Sequence, residues 1–324
     1  MLERICFSVL ESSLVASVLY ALMMLGEGRL AKYSPRCRST LWFILSARLL
    51  VPLPVGIVYF GDSFAQAKWQ LLGRVWLAGM AAFFALHLLA YYRLSRRLSR
   101  GERHLSLSHA EQQEIRRVGS IQSGKTTFVQ SCPRNRREQQ EIRRVFYEIK
   151  STLKIAAPVQ LCISSQAAGP MLLGFLRPKV VFPDCMLPKE NLRMIFRHEL
   201  MHYRRRDSWY RLFLLFTLSV HWFNPFLYLM VDSATEDLES ACDRSVIKGR
   251  DRHFVEQYAQ TLLDTAKFLL ERQRRHQMLL ASCLSSSAQR LKKRLIALFL
   301  PVGLNGRPLV LFAAVLMMLG IYIA

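Results

Sequence analysis

The sequence predicts a mainly α-helical, polytopic membrane protein with one large cytoplasmic domain that includes a small β element. Three observations lead there. First, the 324-residue chain is 52% hydrophobic yet has 45 Lys+Arg against 23 Asp+Glu, a net charge of +22. That combination suits membrane spans flanked by basic cytoplasmic segments, and suits an ordinary soluble enzyme, a disordered chain or a fibre poorly. Second, the chain opens with apolar stretches of about 20 residues, the length a helix needs to cross a bilayer. Third, residues 191–203 carry apolar positions at helical spacing around two histidines four residues apart. The seven cysteines are scattered and form no C-x-x-C pair, so neither a disulfide framework nor a cysteine zinc module is indicated.

The first apolar stretch, 5–26, lacks a strongly basic start and a small-residue cleavage site, so it reads as a retained anchor. The second covers 40–60 and the third 75–92. Arg29, Lys32, Arg36 and Arg38 lie between the first two; Lys68 and Arg74 precede the third; Arg93, Arg96, Arg97, Arg100 and Arg103 follow it. Basic residues gather on the cytoplasmic side. Residues 1–92 are therefore three spans with the N-terminus outside. Glu11 and Arg48 fall within these spans, where charge is costly; they either pair or sit near the interface. The run 308–324 would reach ~25 Å as a helix, just enough for a fourth span.

Residues 93–307 then form the cytoplasmic domain. The octamer EQQEIRRV occurs at 111–118 and again at 138–145, flanking a Gly/Ser/Pro-bearing stretch. Residues 111–137 are therefore expected to be a mobile insert. Within it, 119–126 match G-x-x-x-x-G-K-[ST], with Lys125 as the lysine. A phosphate-binding loop follows a buried strand, whereas 114–118 form a polar helical pattern, so the match reads as chance. Basic charge can also signal nucleic acid. No aromatic-interleaved basic face accompanies it, and membrane topology accounts for it, so no direct nucleic-acid binding is expected.

The strongest chemical signal is His198-Glu199-Leu200-Met201-His202, in a helical stretch that begins after Pro188. Residues four apart share a helix face, so both imidazoles can hold one Zn²⁺. An open position then holds water, whose pKa the metal lowers towards ~7. Glu199, beside them, can take the proton and pass it to a leaving amine. Downstream, Glu239 and Asp243 are also four apart. Glu239 would complete a His₂Glu ligand set, with Glu236 as its competitor, and Asp243 could accept the free N–H of a ligating histidine. Asp207 is either a similar acceptor or a surface acid offsetting Arg204 to Arg206. His221 is either an oxyanion donor or a turn-packing residue. The apolar run 211–231 lies between the two helices. A single crossing there would part His202 from Glu239, so a re-entrant or packed hairpin is expected. Pro225, after His221-Trp222-Phe223-Asn224, supplies the break.

HELMHYRRRD, HWFNP and DLESACD, in that order, resemble the membrane metallopeptidases of the BlaR/MecR type, the β-lactam-sensing signal transducers of bacteria. GPMLLGFLRPKVVFP at 169–183 resembles the strand-rich segment before that family's zinc helix, and LWFILSARLLVPLP at 41–54 its N-terminal spans. The resemblance covers most of 1–110 and 146–324 and departs at 111–137. It implies a gluzincin-like zinc metalloprotease in the bacterial cell membrane, with its active site in the cytoplasm. His198, His202 and Glu239 would be ligands, Glu199 the general base, and Asp243 an outer partner. It further implies self-cleavage before the last span, at a bond matching Ser282–Cys283, where Cys283 replaces the expected aromatic. Loss of a transcriptional repressor would follow. The protein substrates would be the chain itself and that repressor, with the bilayer as the other partner. The family's extracellular penicillin-binding sensor follows its last span; residues 1–324 hold none, so β-lactam sensing is not expected of these residues alone. A general quality-control protease and a metal-free scaffold or relic are the other readings. The sequence leaves the oligomeric state open, a homodimer included.

Overall fold

The three N-terminal apolar stretches are helical over 5–25, 40–50 and 75–92. The structure is a computed structural model and describes residues 2–26, 30, 32–50, 63–100, 136–185, 187–276 and 281–301, with 304, 306, 308–311 and 315 beyond them. The helices are α1 (Leu2–Leu25), α2 (Pro35–Leu50), α3 (Ser63–Arg100), α4 (Arg136–Thr152), α5 (Lys189–Arg205), α6 (Asp207–Val220), α7 (Pro225–Ile247), α8 (Arg252–His276) and α9 (Ala281–Phe299). The strands are β1 (Gln160–Ser164), β2 (Met171–Leu173) and β3 (Lys179–Pro183). The phosphate-loop match with Lys125, residues 51–60 of the second expected span and most of the fourth lie outside the described residues. Among the described residues, two helices are long and apolar enough to cross a membrane, over Ser8–Leu25 and Trp69–Leu98. The second belongs to α3, which runs well beyond 75–92 at both ends. Polar helix formers such as Gln, Lys and Arg continue a helix after hydropathy has fallen.

The chain divides into two compact units: 1–91 with 209–241 and 300–324, and 92–208 with 242–299. Thus the apolar hairpin expected at 211–231 folds with the N-terminal helices. Their shared core explains why: Ala16, Tyr20, Trp42, Leu45, Leu49, Leu214, Leu218, Leu227 and Met230 bury one another. The hairpin breaks where Pro225 predicted. Pro225 opens α7, where its missing N–H is not needed. Asn224 caps that helix, its Oδ1 accepting the Phe226 N–H at 2.9 Å, an interaction typically worth about 1 kcal/mol. The Asn224 amide also donates to Ser13 Oγ at 2.7 Å and Ser17 Oγ at 2.8 Å. His221 is fully buried, and its Nε2 donates to the Leu49 carbonyl at 3.2 Å. It is a turn-packing residue. Glu11 Oε1 is buried with no hydrogen-bond partner, so that oxygen does not pair with Arg48.

In the second unit, Ile142, Val145, Phe146 and Ile149 repeat at helical spacing and bury one face of α4. The expected strand element is a three-stranded sheet of order β1-β3-β2, with β1 parallel and β2 antiparallel to β3. Central β3 buries Val180, Val181 and Phe182 completely. Phe196 of α5 meets Phe146 edge-on, with ring centres 5.4 Å apart, and Phe182 at 5.2 Å. Leu192, Phe196 and Leu200 of α5 are fully buried, each contributing roughly 1.5–3 kcal/mol. These contacts pin α5, the helix that carries the histidine pair, between α4 and the sheet.

Candidate metal centre

α5 begins after Pro188, whose backbone is extended (ψ 143°). It ends at Arg206, which adopts the left-handed conformation (φ 61°) and returns its N–H to the carbonyls of His202 and Tyr203. That turn brings Asp207, the first residue of α6, back onto His202. Asp207 is buried, and its Oδ2 accepts from His202 Nδ1–H at 2.7 Å. Arg205 Nε also donates to both oxygens, at 3.2 and 3.1 Å. Of its two predicted roles, Asp207 has that of imidazole acceptor.

His198 is held by a longer chain of bonds. α8 docks on the start of α5, where Thr261 Oγ1 donates to Asn191 Oδ1 at 3.2 Å. One turn earlier on α8, Tyr258 places its hydroxyl 2.7 Å from His198 Nδ1. The same hydroxyl donates to Asp243 Oδ1 at 2.7 Å, so its oxygen accepts from His198 Nδ1–H. Asp243 Oδ1 is also 3.3 Å from that nitrogen. Asp243 is 2% exposed. Burial opposes its charge, but Arg294 donates from Nε to Oδ2 at 2.8 Å and from Nη2 to Oδ1 at 2.9 Å. That pair holds the carboxyl well below the usual carboxylate range. Burial, with Asp243 beside it, raises the Tyr258 hydroxyl well above the ordinary tyrosine value, so it stays a donor. His198 is pulled the other way: burial lowers it, but Tyr258, Cys242 and Asp243 raise it well above an ordinary histidine.

With both Nδ1 atoms engaged, the two Nε2 atoms turn towards each other, 3.1 Å apart. Two nitrogens bound to one tetrahedral zinc at 2.0–2.1 Å stand about 3.3 Å apart. The pair therefore fits a metal with little adjustment. His198, His202 and Cys242 form a buried group whose ligand atoms all lie within 4.8 Å. Cys242 Sγ lies 3.8 Å from His198 Nδ1 and donates to the His198 carbonyl at 3.6 Å. Burial pushes its thiol up, but His198 and His202 more than offset that, leaving it below the ordinary thiol value. Glu199 is buried on α5 beside the pair.

Of the predicted residues, His198, His202, Asp207 and Asp243 are thus brought together, with Glu199 adjacent. Glu239 belongs to the first unit, one helical turn before Asp243 on α7, where it pairs with Arg211. Glu236 lies three residues further upstream in that unit. Ser282 and Cys283 fall in the first turn of α9. Tyr258, Arg294 and the packing of Cys242 were not expected. Tyr258 has no sequence signal. Arg294 sits in the basic run 290–295, whose sequence suits either the family's self-cleavage region or an ordinary juxtamembrane segment and gives no sign of a role at the metal centre. Asp207→Asn is expected to weaken metal binding 10- to 100-fold, the usual effect of losing an imidazole's carboxylate partner; competition with a chromogenic chelator measures it.

A family model described as BlaR1 peptidase M56 matches residues 115–298, more than half of the chain and all of the site just described. The chain is 29% identical over 158 residues to the regulatory protein BlaR1 of Bacillus licheniformis, covering 48% of this chain and 26% of that protein. It is 30% identical over 109 residues to the methicillin resistance mecR1 protein of Staphylococcus aureus, covering 32% of this chain and 18% of that one. The same figures hold for the mecR1 protein of Staphylococcus epidermidis. The matched regions thus span about a quarter or less of these curated relatives.

Proposed function

The chain belongs to the BlaR1 peptidase M56 family, and on that premise we propose that it is a gluzincin-type zinc metalloendopeptidase of a bacterial β-lactam-resistance signalling pathway. The observation that carries the metal assignment is the buried Nε2 pair, 3.1 Å apart, with each ring anchored through Nδ1. His198 and His202 would hold the ion, and Glu239 would be the third ligand, supported by its place one turn before Asp243. The short approach of Cys242 Sγ is to the nitrogen of His198 that Tyr258 already engages, which favours Glu239 over Cys242.

Zinc would supply a Lewis acid that brings the pKa of a coordinated water to about 7. The remaining work falls to the chain. The Glu199 carboxylate takes the proton of the attacking water and hands it to the leaving amine. Asp207 directly, and Asp243 through the Tyr258 hydroxyl, keep both imidazoles in the tautomer that leaves Nε2 unprotonated when neutral. Burial of the site limits competing water.

The proposed setting is a bacterial cell membrane. Spans within 1–92 and at 308–324 would place the domain of 93–307 in the cytoplasm. The proposed substrates are the chain itself, cut between Ser282 and Cys283, and a transcriptional repressor whose loss turns on resistance genes. A cut there needs the first turn of α9 to unwind, because proteases bind substrates extended.

Two readouts test this in a host carrying the resistance genes. Fragment N-terminal sequencing is expected to give a chain starting at Cys283, absent in Glu199→Ala. A resistance-gene reporter is expected to respond with Glu199 and fail without it. Cleavage without any reporter response would favour a quality-control protease. An intact 282–283 bond in an otherwise processed chain would remove that cut site.

A further inference from the structure

We propose that Arg294 is a positioning residue of the metal centre, and that through it α9 clamps His198 in its ligating orientation. This rests on the zinc reading above and adds a residue distant in sequence from either half of the site.

Asp243 is a buried carboxylate. A buried carboxylate needs compensating charge, and a guanidinium engages both carboxylate oxygens with two parallel N–H donors. Arg294 does this, at 2.8 and 2.9 Å. The bidentate contact also fixes how Asp243 is turned, and so where its Oδ1 meets the Tyr258 hydroxyl. Tyr258 in turn receives His198 Nδ1–H. Each bond in this line is directional, so His198 Nε2 is aimed by a guanidinium three contacts away. Without Arg294, nothing fixes how the Asp243 carboxylate is turned, so the Tyr258 hydroxyl loses the set position of its acceptor and the imidazole its fixed direction.

The placement of Arg294 on α9 is itself specific. In the basic run, Arg290, Lys292 and Lys293 are exposed, while the Arg294 side chain is 22% exposed. Leu298, one turn on, is buried in the core that also holds α5, and Leu295 packs against it. α9 therefore reaches the site with one charged and two apolar side chains. The same helix begins at Ala281, beside the proposed cut. A cut between Ser282 and Cys283 would leave Arg294 on the fragment that continues into 308–324. The clamp would then be held by noncovalent contacts alone, and departure of α9 would loosen the metal. Self-cleavage would in this way limit the enzyme's own lifetime.

The test uses the full chain purified in detergent, in wild type, Arg294→Ala, Arg294→Lys and Asp243→Asn forms. Zinc affinity is read by chelator competition and ligand geometry by the visible spectrum of the Co²⁺-substituted protein. Arg294→Ala is expected to weaken zinc binding 10- to 100-fold and to alter the cobalt spectrum. Arg294→Lys should recover part of the loss, because it keeps the charge without the two-pronged geometry. Arg294→Ala added to Asp243→Asn should cost little more than Asp243→Asn alone. A lower melting temperature with wild-type affinity and spectrum would overturn the proposal, since Arg294 would then merely staple α9. If the alanine variant does not fold, wild-type affinity in Arg294→Lys overturns it equally. A wild-type protein that binds no zinc would instead overturn the metal reading, and the clamp with it.

Discussion

Glu199→Gln is expected to slow proteolysis by roughly 10²–10⁴-fold, the range lost with a general base, while about one zinc stays bound per chain. The substitution keeps the size and shape of a buried side chain on α5, so the fold has little reason to change. The amide cannot accept a proton, which is the property the proposed mechanism uses. The check is single-turnover cleavage of the full-length protein in detergent or liposomes, with zinc measured on the same sample. Cleavage at the wild-type rate would mean the base lies elsewhere. Loss of zinc together with activity would mean that Glu199 supports the site's structure rather than its chemistry.

Removing a ligand is expected to have the other large effect. His202→Ala should take zinc content from about one per chain to near zero. One imidazole of a pair 3.1 Å apart would be gone, and Asp207 would be left without the ring it accepts from. Glu239→Ala should also lose most of the zinc, whereas Cys242→Ser should keep it. Elemental analysis of the purified variants decides this. Retention in Glu239→Ala with loss in Cys242→Ser would exchange the third ligand, making the His198–His202–Cys242 group the metal set. No zinc in the folded wild type would leave the scaffold reading standing.

The sequence by itself determined what depends on neighbours a few residues apart. Two histidines four apart in an apolar-periodic stretch share a helix face because of the 3.6-residue turn, so the pairing of His198 and His202 could be read directly. Pro225 broke the apolar run because a proline cannot continue a helix interior, and α6 and α7 meet there. The strand segment at 169–183 was expected from its resemblance to the segment before the family's zinc helix, and β2 and β3 lie in it. The tertiary structure decided which acids serve the imidazoles. Asp207 could have been a surface acid until the left-handed turn at Arg206 returned it to His202. Tyr258 stands 60 residues from His198, and Arg294 stands 51 from Asp243. Neither has a pattern of its own, since a lone tyrosine on a helix and one arginine in a basic run look the same whether they face solvent or a buried carboxylate. Their roles arise when α8 and α9 pack against the α5 core and desolvate one charge, which must then find its opposite.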